Sequence, residues 1–319
     1  MAKAALGFAF GGGGWLTTWY LGVLQGLIAS GAFKPGVTPI YGVSTGAQAA
    51  ALGCAGGDPF AAVAGALLDA QHCLDTGTTP PCLHTLDAVM RARLNASLPA
   101  GAAKACSGLL TLGFTKPLGD ARLGRYGQPR MMWKGNFRES NFTSDADLID
   151  AVAASGYLPC TSANAPYAVF RGRPAMAGGY TLRTPCPRNA KRCVTVHSGV
   201  PGKLFSSGFP NVSVAADSAA SSLPSSGSGS GGGALGRRLA AVPAPLPSSC
   251  PIEVGAPEIV FGRRPGIDIY PGKYNPVAYT WWTWESWVVA KPSVEGLRYG
   301  FELGIADATS WARAAKIIK

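Results

Sequence analysis

The sequence predicts an α/β fold with parallel strands in one sheet, and three observations carry that expectation. A short apolar run, Ala4–Phe10, leads directly into four glycines at 11–14. A second apolar run ends in Gly42-Val43-Ser44-Thr45-Gly46, the G-x-S-x-G pattern. One helix-spaced segment separates the two, and a crossover of that length joins parallel strands.

Each element follows from its residues. Ala4–Phe10 has the unbroken apolar character of a buried strand. Residues 15–29 place Trp15, Trp19, Val23 and Leu27 near helical spacing, and Ser30-Gly31 ends the helix. Residues 38–43 read as a second strand with Ser44 at its tip, and residues 45–52 begin a helix of small residues. The glycine run and Ser44 then both fall at the C-terminal ends of strands, where open α/β sheets place their sites. Much later, residues 257–261 read as a strand and residues 294–315 as a helix.

G-x-S-x-G is a strand-to-helix turn that exposes a serine hydroxyl at the top of a sheet. Gly42 and Gly46 suit such an elbow because a side chain there would strike the neighbouring strand or helix. Gly12, Gly13 and Gly14 could supply the backbone N–H groups that stabilise an oxyanion on a substrate attacked by Ser44.

At these residues the chain resembles the patatin-like phospholipases. Phe10 to Leu16 with Tyr20-Leu21-Gly22-Val23-Leu24 resembles that family's first block, and Tyr41 to Gly46 its second. Ala154-Ser155-Gly156-Tyr157-Leu158-Pro159 resembles its A-S-x-x-x-P segment. The resemblance covers roughly residues 4–190, with a fainter echo at 268–312. It implies a three-layer α/β/α fold with a mostly parallel central sheet. It also implies lipolytic acyl hydrolysis of glycerolipid esters by a Ser–Asp dyad, with no cofactor and no metal.

Two departures stand out. Thr17 occupies the place of the last glycine in the family's G-x-G-x-x-G loop. More consequentially, Ala177-Gly178-Gly179 stands where the family has D-G-G, so the dyad aspartate is an alanine here. No Asp or Glu lies between Asp150 and Asp217 to substitute by a small slip. A serine hydroxyl is a poor nucleophile until a base takes its proton, and in a dyad the carboxylate is the only base. The sequence thus describes a lipase-like scaffold with a disarmed dyad.

Composition is that of a globular protein, at 47% hydrophobic residues, and the net charge of +11 favours anionic partners. For a lipid-acting fold that means peripheral contact with anionic membrane rather than nucleic acid. The stretch 116–138 carries Lys116, Arg122, Arg125, Arg130, Lys134 and Arg138 against Asp120 alone. It suits phosphate headgroups, although a solvated face is the plainer reading. Tryptophans 281, 282, 284 and 287 suit a lipid–water interface, with core packing as the plainer reading.

The chain divides into a core at 1–205, a Ser/Gly/Ala/Pro-rich insertion at 206–250 that is expected to be disordered, and a C-terminal segment at 251–319 packing on the core. Arg237-Arg238 inside the insertion reads as a chance basic pair. The apolar N-terminus superficially resembles a signal peptide, but its glycines would break the apolar region, so an intracellular location is expected: cytoplasmic, peripheral to a membrane, or at a lipid droplet. The sequons at Asn95, Asn141 and Asn211 carry meaning only in a secreted chain. The irregularly spaced eight cysteines are expected to be free thiols in a reducing compartment. At His72-Cys73 and Cys82-Leu83-His84 a loop disulfide, Cys73–Cys82, fits better than zinc.

Three functional readings follow. The first is the lipolytic acyl hydrolase, with Ser44 as nucleophile, Gly12, Gly13 and Gly14 as the oxyanion hole, and Ala177 in the base's place. The second is a catalytically inactive relative that binds lipid or a protein partner through the same pocket. The third is an α/β-hydrolase triad, in which His197 follows Asp147 and Asp150 in the order Ser, Asp, His. A nucleotide site is disfavoured, because the glycine run lacks the Lys-Ser/Thr of a P-loop.

Overall fold

The computed structural model describes residues 4–78, 81–123, 129–182, 184–199, 267–287 and 293–319, with backbone alone at 118–123, 129–134, 281, 282 and 285. The expectations for the insertion at 206–250, for a strand at 257–261 and for Arg237-Arg238 lie outside the described residues.

Four strands form the parallel heart of the sheet. They are β1 (Ala4–Phe10), β2 (Ile40–Val43), β3 (Leu110–Leu123) and, after β4 (Pro129–Glu139), β5 (Ala168–Phe170) and β6 (Arg173–Ala177), the strand β7 (Ala190–Val196). Hydrogen bonding links the strands in the sequence β5-β6-β3-β2-β1-β7, with β4 also paired to β3. β7, β1, β2 and β3 run parallel, and the pairs β3–β4, β3–β6 and β5–β6 are antiparallel. Helices flank this mostly parallel sheet, so the architecture is the α/β class expected and is consistent with a patatin-like α/β/α fold.

Alternation along the strands sorts the core. Phe8 and Phe10 of β1 and Leu110, Leu112 and Phe114 of β3 belong to one large apolar cluster, whereas Ala9, Tyr41 and Val43 form a smaller one with Leu182. The large cluster takes in α1 (Thr17–Ala29), α2 (Thr45–Ala55), α3 (Pro59–Asp75), α4 (Leu86–Ser97), α5 (Ala102–Cys106), α6 (Asp145–Gly156) and α8 (Val294–Ala314), with Trp284 and Trp287 from the region of the short helix α7 (Trp281–Ser286).

α1 begins at Thr17, two residues later than the periodicity suggests, because Gly14 to Leu16 form a turn in which Leu16 N–H donates to Gly13 O. β2 begins at Ile40 rather than Thr38, because Thr38 is drawn into a turn with Lys34 through two hydrogen bonds. α8 lies directly on α1. Small residues permit the approach: a Cβ added at Gly26 would sit 2.8 Å from the Ala308 Cβ, and one at Gly22 would overlap Phe301 O. Trp19 Nε1 donates to Asp307 Oδ2 across this contact at 3.1 Å.

Of the basic stretch, residues 116–123 and 129–138 belong to the β3–β4 antiparallel ribbon, with Arg138 over the Tyr41 ring. Trp284 and Trp287 are buried, and Trp284 Nε1 donates to Ser198 O at 3.0 Å, so for these two the plainer reading, core packing, holds. Free thiols throughout are not found, because Cys73–Cys82 and Cys186–Cys193 are disulfides, while Cys54 and Cys106 are free and buried. Among the described residues no cluster suited to a metal ion occurs, and the His72/His84 region is closed by the Cys73–Cys82 loop disulfide.

Candidate active site

Ser44 terminates β2 and caps α2. Its backbone sits at φ 53 and ψ −130, a conformation that lifts the residue out of the strand before the helix starts. Its N–H donates to both the carbonyl and the hydroxyl oxygen of Ser155, at 3.0 and 3.1 Å. Ser155 is buried on α6 and donates in turn to Gly113 O on β3 at 2.8 Å. The strained turn is therefore braced from behind by a satisfied hydroxyl.

The elbow glycines are required by backbone, not by flexible side chains. A Cβ at Gly42 would stand 2.7 Å from Ala47 Cα and 2.8 Å from Gly46 O. One at Gly46 would overlap Gly11 O and stand 2.6 Å from Phe10 O. Neither obstacle can rotate away.

The glycine loop leans on the elbow. A Cβ at Gly12 would lie 3.3 Å from Ser44 Cβ and 3.7 Å from Ser44 Oγ, so the loop packs directly against the serine side chain. Gly11 N–H is bonded to Val196 O, whereas among the described residues no backbone acceptor takes the N–H groups of Gly12, Gly13 or Gly14. The loop's carbonyls are held away from the serine: Gly12 O accepts from Tyr20 Oη at 3.1 Å and from Ser198 Oγ at 3.4 Å, and Gly14 O accepts from Thr45 Oγ1 at 2.8 Å. In a trans peptide the N–H points opposite to the preceding C=O. Anchoring Gly12 O on Tyr20 therefore turns the Gly13 N–H away from Tyr20 and Ser198.

The segment beneath the loop is a buried polar network. Tyr20 Oη also accepts from Ser198 N–H at 3.0 Å, and His197 N–H donates to Ile269 O at 3.1 Å. A Cβ at Gly13 would stand 2.8 Å from Tyr20 Cε2, which makes Gly13 the price of this close support. Sequence reasoning picked out neither Tyr20 nor Ser198 for this role. Tyr20 lies in a motif block that gives it no function, and nothing in the sequence ties Ser198 to the loop.

Ala177 ends β6. Phe114 of β3 pairs with Ala177, while the preceding residue of β3, Gly113, pairs with Val43 of β2. Gly113 and Phe114 both pair with β4 on their other side, so β2 and β6 share one edge of β3. β6 thus takes over that edge where β2 stops and Ser44 turns away. Gly178 continues the approach, and a Cβ there would lie 3.0 Å from Val43 Cγ1. Gly179 Cα is 4.0 Å from the position of a Gly12 Cβ, while a Cβ on Gly179 itself would meet nothing within 4 Å. Ser44, the glycine loop and the Ala177-Gly178-Gly179 turn therefore converge.

The acids are committed elsewhere. Asp147 is bonded by Arg171, first among the causes that hold its carboxyl below the usual carboxylate range, and by Thr143 N–H. Asp150 pairs with Arg91, and Asp145 accepts from the N–H groups of Gly101 and Ala103. His197 is buried beside Gly11, and its Nδ1 accepts from Gly199 N–H at 2.8 Å. A neutral imidazole with an accepting Nδ1 carries its proton on Nε2, so Nε2 cannot take one from a serine. Asp147 and Asp150 are both tied to arginines.

Over residues 8–75 the chain matches the family of patatin-like phospholipases. That span runs from β1 through the glycine loop and the Ser44 elbow to the end of α3. No curated protein matches the chain.

Proposed function

We propose that this patatin-like domain is the scaffold of a lipolytic acyl hydrolase in which Ser44 is the nucleophile, Gly12, Gly13 and Gly14 form the oxyanion hole, and Ala177 occupies the position of the general base. The observation that carries this reading is that Val43, the residue before Ser44, and Ala177 pair with consecutive residues, Gly113 and Phe114, on one edge of β3. Ser44 Oγ would attack an acyl-ester carbonyl, and the tetrahedral oxyanion would form against the N–H groups of the glycine loop, beside the N-terminus of α2, whose dipole favours negative charge. Proton removal from Ser44 has no side-chain acceptor at residue 177, so the chain as it stands turns ester over very slowly. Glycerolipid acyl esters are the substrate class, and the excess of positive charge suits binding at an anionic lipid surface.

The same observation supports a second reading. With an alanine at the base position, the pocket serves to bind lipid or a protein partner without turning it over. Hydrolysis of a short p-nitrophenyl ester by the protein and by Ala177→Asp separates the two. A large gain on restoring the carboxylate supports the hydrolase scaffold. No gain in a folded variant supports the binding protein.

A further inference from the structure

We infer that the chain matures in an oxidising, glycosylating compartment and that Asn141 carries an N-linked glycan there. Two independent features point the same way. The first is the state of the cysteines. Cys186 is exposed, so the thiol pool of a reducing cytosol would reach the Cys186–Cys193 bridge. Among the described residues the free thiols, Cys54 and Cys106, are those sealed between α2 and α5. Forming each bridge releases two protons and two electrons, taken up by a thiol–disulfide exchange oxidant.

The second feature is the setting of the Asn141-Phe142-Thr143 sequon. It lies in the irregular loop between β4 and α6, with Asn141 and Thr143 exposed. Phe142 between them is buried and holds the loop, with its N–H donating to Ser107 Oγ at 3.0 Å. Asn141 O accepts from Arg171 at 2.8 Å, so the backbone is fixed while the side chain faces solvent. A glycan there displaces no packed group. The sequon at Asn95 differs: it lies within the helix α4. In the transfer, Asn141 Nδ2 bonds to the anomeric carbon of a lipid-diphosphate oligosaccharide. The bond from that carbon to the diphosphate oxygen breaks, the diphosphate leaves with the electron pair, and the amide gives up one proton. Such a compartment differs from the cytoplasmic or lipid-droplet location expected from the sequence.

The test uses protein isolated from the cells that make it, alkylated with iodoacetamide under denaturing, non-reducing conditions. Peptide N-glycosidase in heavy-oxygen water, followed by mass spectrometry, reads both features at once. The expected result is conversion of the Asn141 peptide to heavy-oxygen aspartate, with Cys73, Cys82, Cys186 and Cys193 unalkylated. An Asn141 peptide that is unmodified before the glycosidase, a glycan on Asn95 alone, or alkylation of all four cysteines would each overturn the inference. Asn141→Gln made in the same cells should lose the mass of one glycan, and an unchanged mass would count against the assignment. None of these readouts depends on hydrolase activity.

Discussion

Ser44 and Ala177 reach the same edge of β3 from opposite directions, Val43 opposite Gly113 and Ala177 opposite Phe114. The partners on β3 are consecutive, about 3.3 Å apart along the strand. A parallel strand stops, an antiparallel strand takes its place, and the junction is where Ser44 leaves the sheet. That topology brings together two residues 133 positions apart in the sequence (177 less 44).

The elbow is intolerant of any side chain at Gly46. A Cβ would lie 2.6 Å from Phe10 O and overlap Gly11 O, and both are backbone atoms of β1 and the glycine loop. Relief requires moving the loop away from Ser44. Gly46→Ala should lose about 1–3 kcal/mol or more of folding stability, the usual penalty of overpacking. Urea unfolding measures this directly. Gly179→Ala is the control, since its Cβ meets nothing within 4 Å and its stability should be close to the parent's.

Tyr20 fixes the oxyanion loop through one hydroxyl that donates to Gly12 O and accepts from Ser198 N–H. Tyr20→Phe keeps the ring and removes both bonds. Leaving these groups without Tyr20 should destabilise the fold by about 1–3 kcal/mol. Combined with Ala177→Asp, it should lower kcat several-fold while leaving KM nearly unchanged, because the loop N–H groups act on the transition state rather than on the bound ester. An equal rise in KM with unchanged kcat would point to a binding role instead.

Much of this site was legible in the sequence, and the reasons are local. Gly42, Gly46 and the glycines at 11–14 announce themselves because no other residue fits a backbone packed on backbone. β1 and α2 read easily because each is apolar and short of breakers. The braces were not legible. Ser155, Ser198 and Trp284 act through hydrogen bonds to residues 42 to 178 positions away, and a hydroxyl bonded to a distant carbonyl leaves no periodic trace. Cys73–Cys82 was legible as a loop disulfide, but Cys186–Cys193 was not, because its pairing is decided by where β7 and the preceding loop meet.

Asp307 makes the α1–α8 contact sensitive to pH. It is fully buried, and burial raises its pKa from 3.8 to about 6, against the opposing bonds from Asn275 and Trp19. A carboxyl whose folded pKa is raised binds its proton more tightly in the folded state. Its contribution to stability is therefore greatest below the unfolded pKa, near 4, and is lost as pH rises through 6. The loss amounts to on the order of 3 kcal/mol. Asp307→Asn should remove this fall, so that the variant gains on the parent between pH 4.5 and pH 7 in denaturant titrations. A parallel pH profile for the two proteins would show that Asp307 does not titrate in this window.

The decisive variant is Ala177→Asp. The other parts of the constellation are in place: an elbow serine at φ 53, glycine N–H groups beside it, and a Gly178-Gly179 turn with open space at Gly179. Ala177 is buried at the end of β6, and its N–H is held by Tyr157 O at 2.8 Å, so a longer side chain there starts from a fixed backbone. A positioned general base is typically worth about 10²–10⁴ in rate. The parent protein should be nearly inactive on a p-nitrophenyl ester, and Ala177→Asp should recover a gain of that order. Ala177→Asp with Ser44→Ala should remain inactive, which separates dyad chemistry from a contaminating esterase. Rapid turnover by the parent that is abolished by Ser44→Ala would reveal a different base. His197 would then have to give up its Gly199 bond and present an unprotonated nitrogen to Ser44. His197→Gln in the parent decides that case: lost turnover would assign the base to His197, and retained turnover would exclude it.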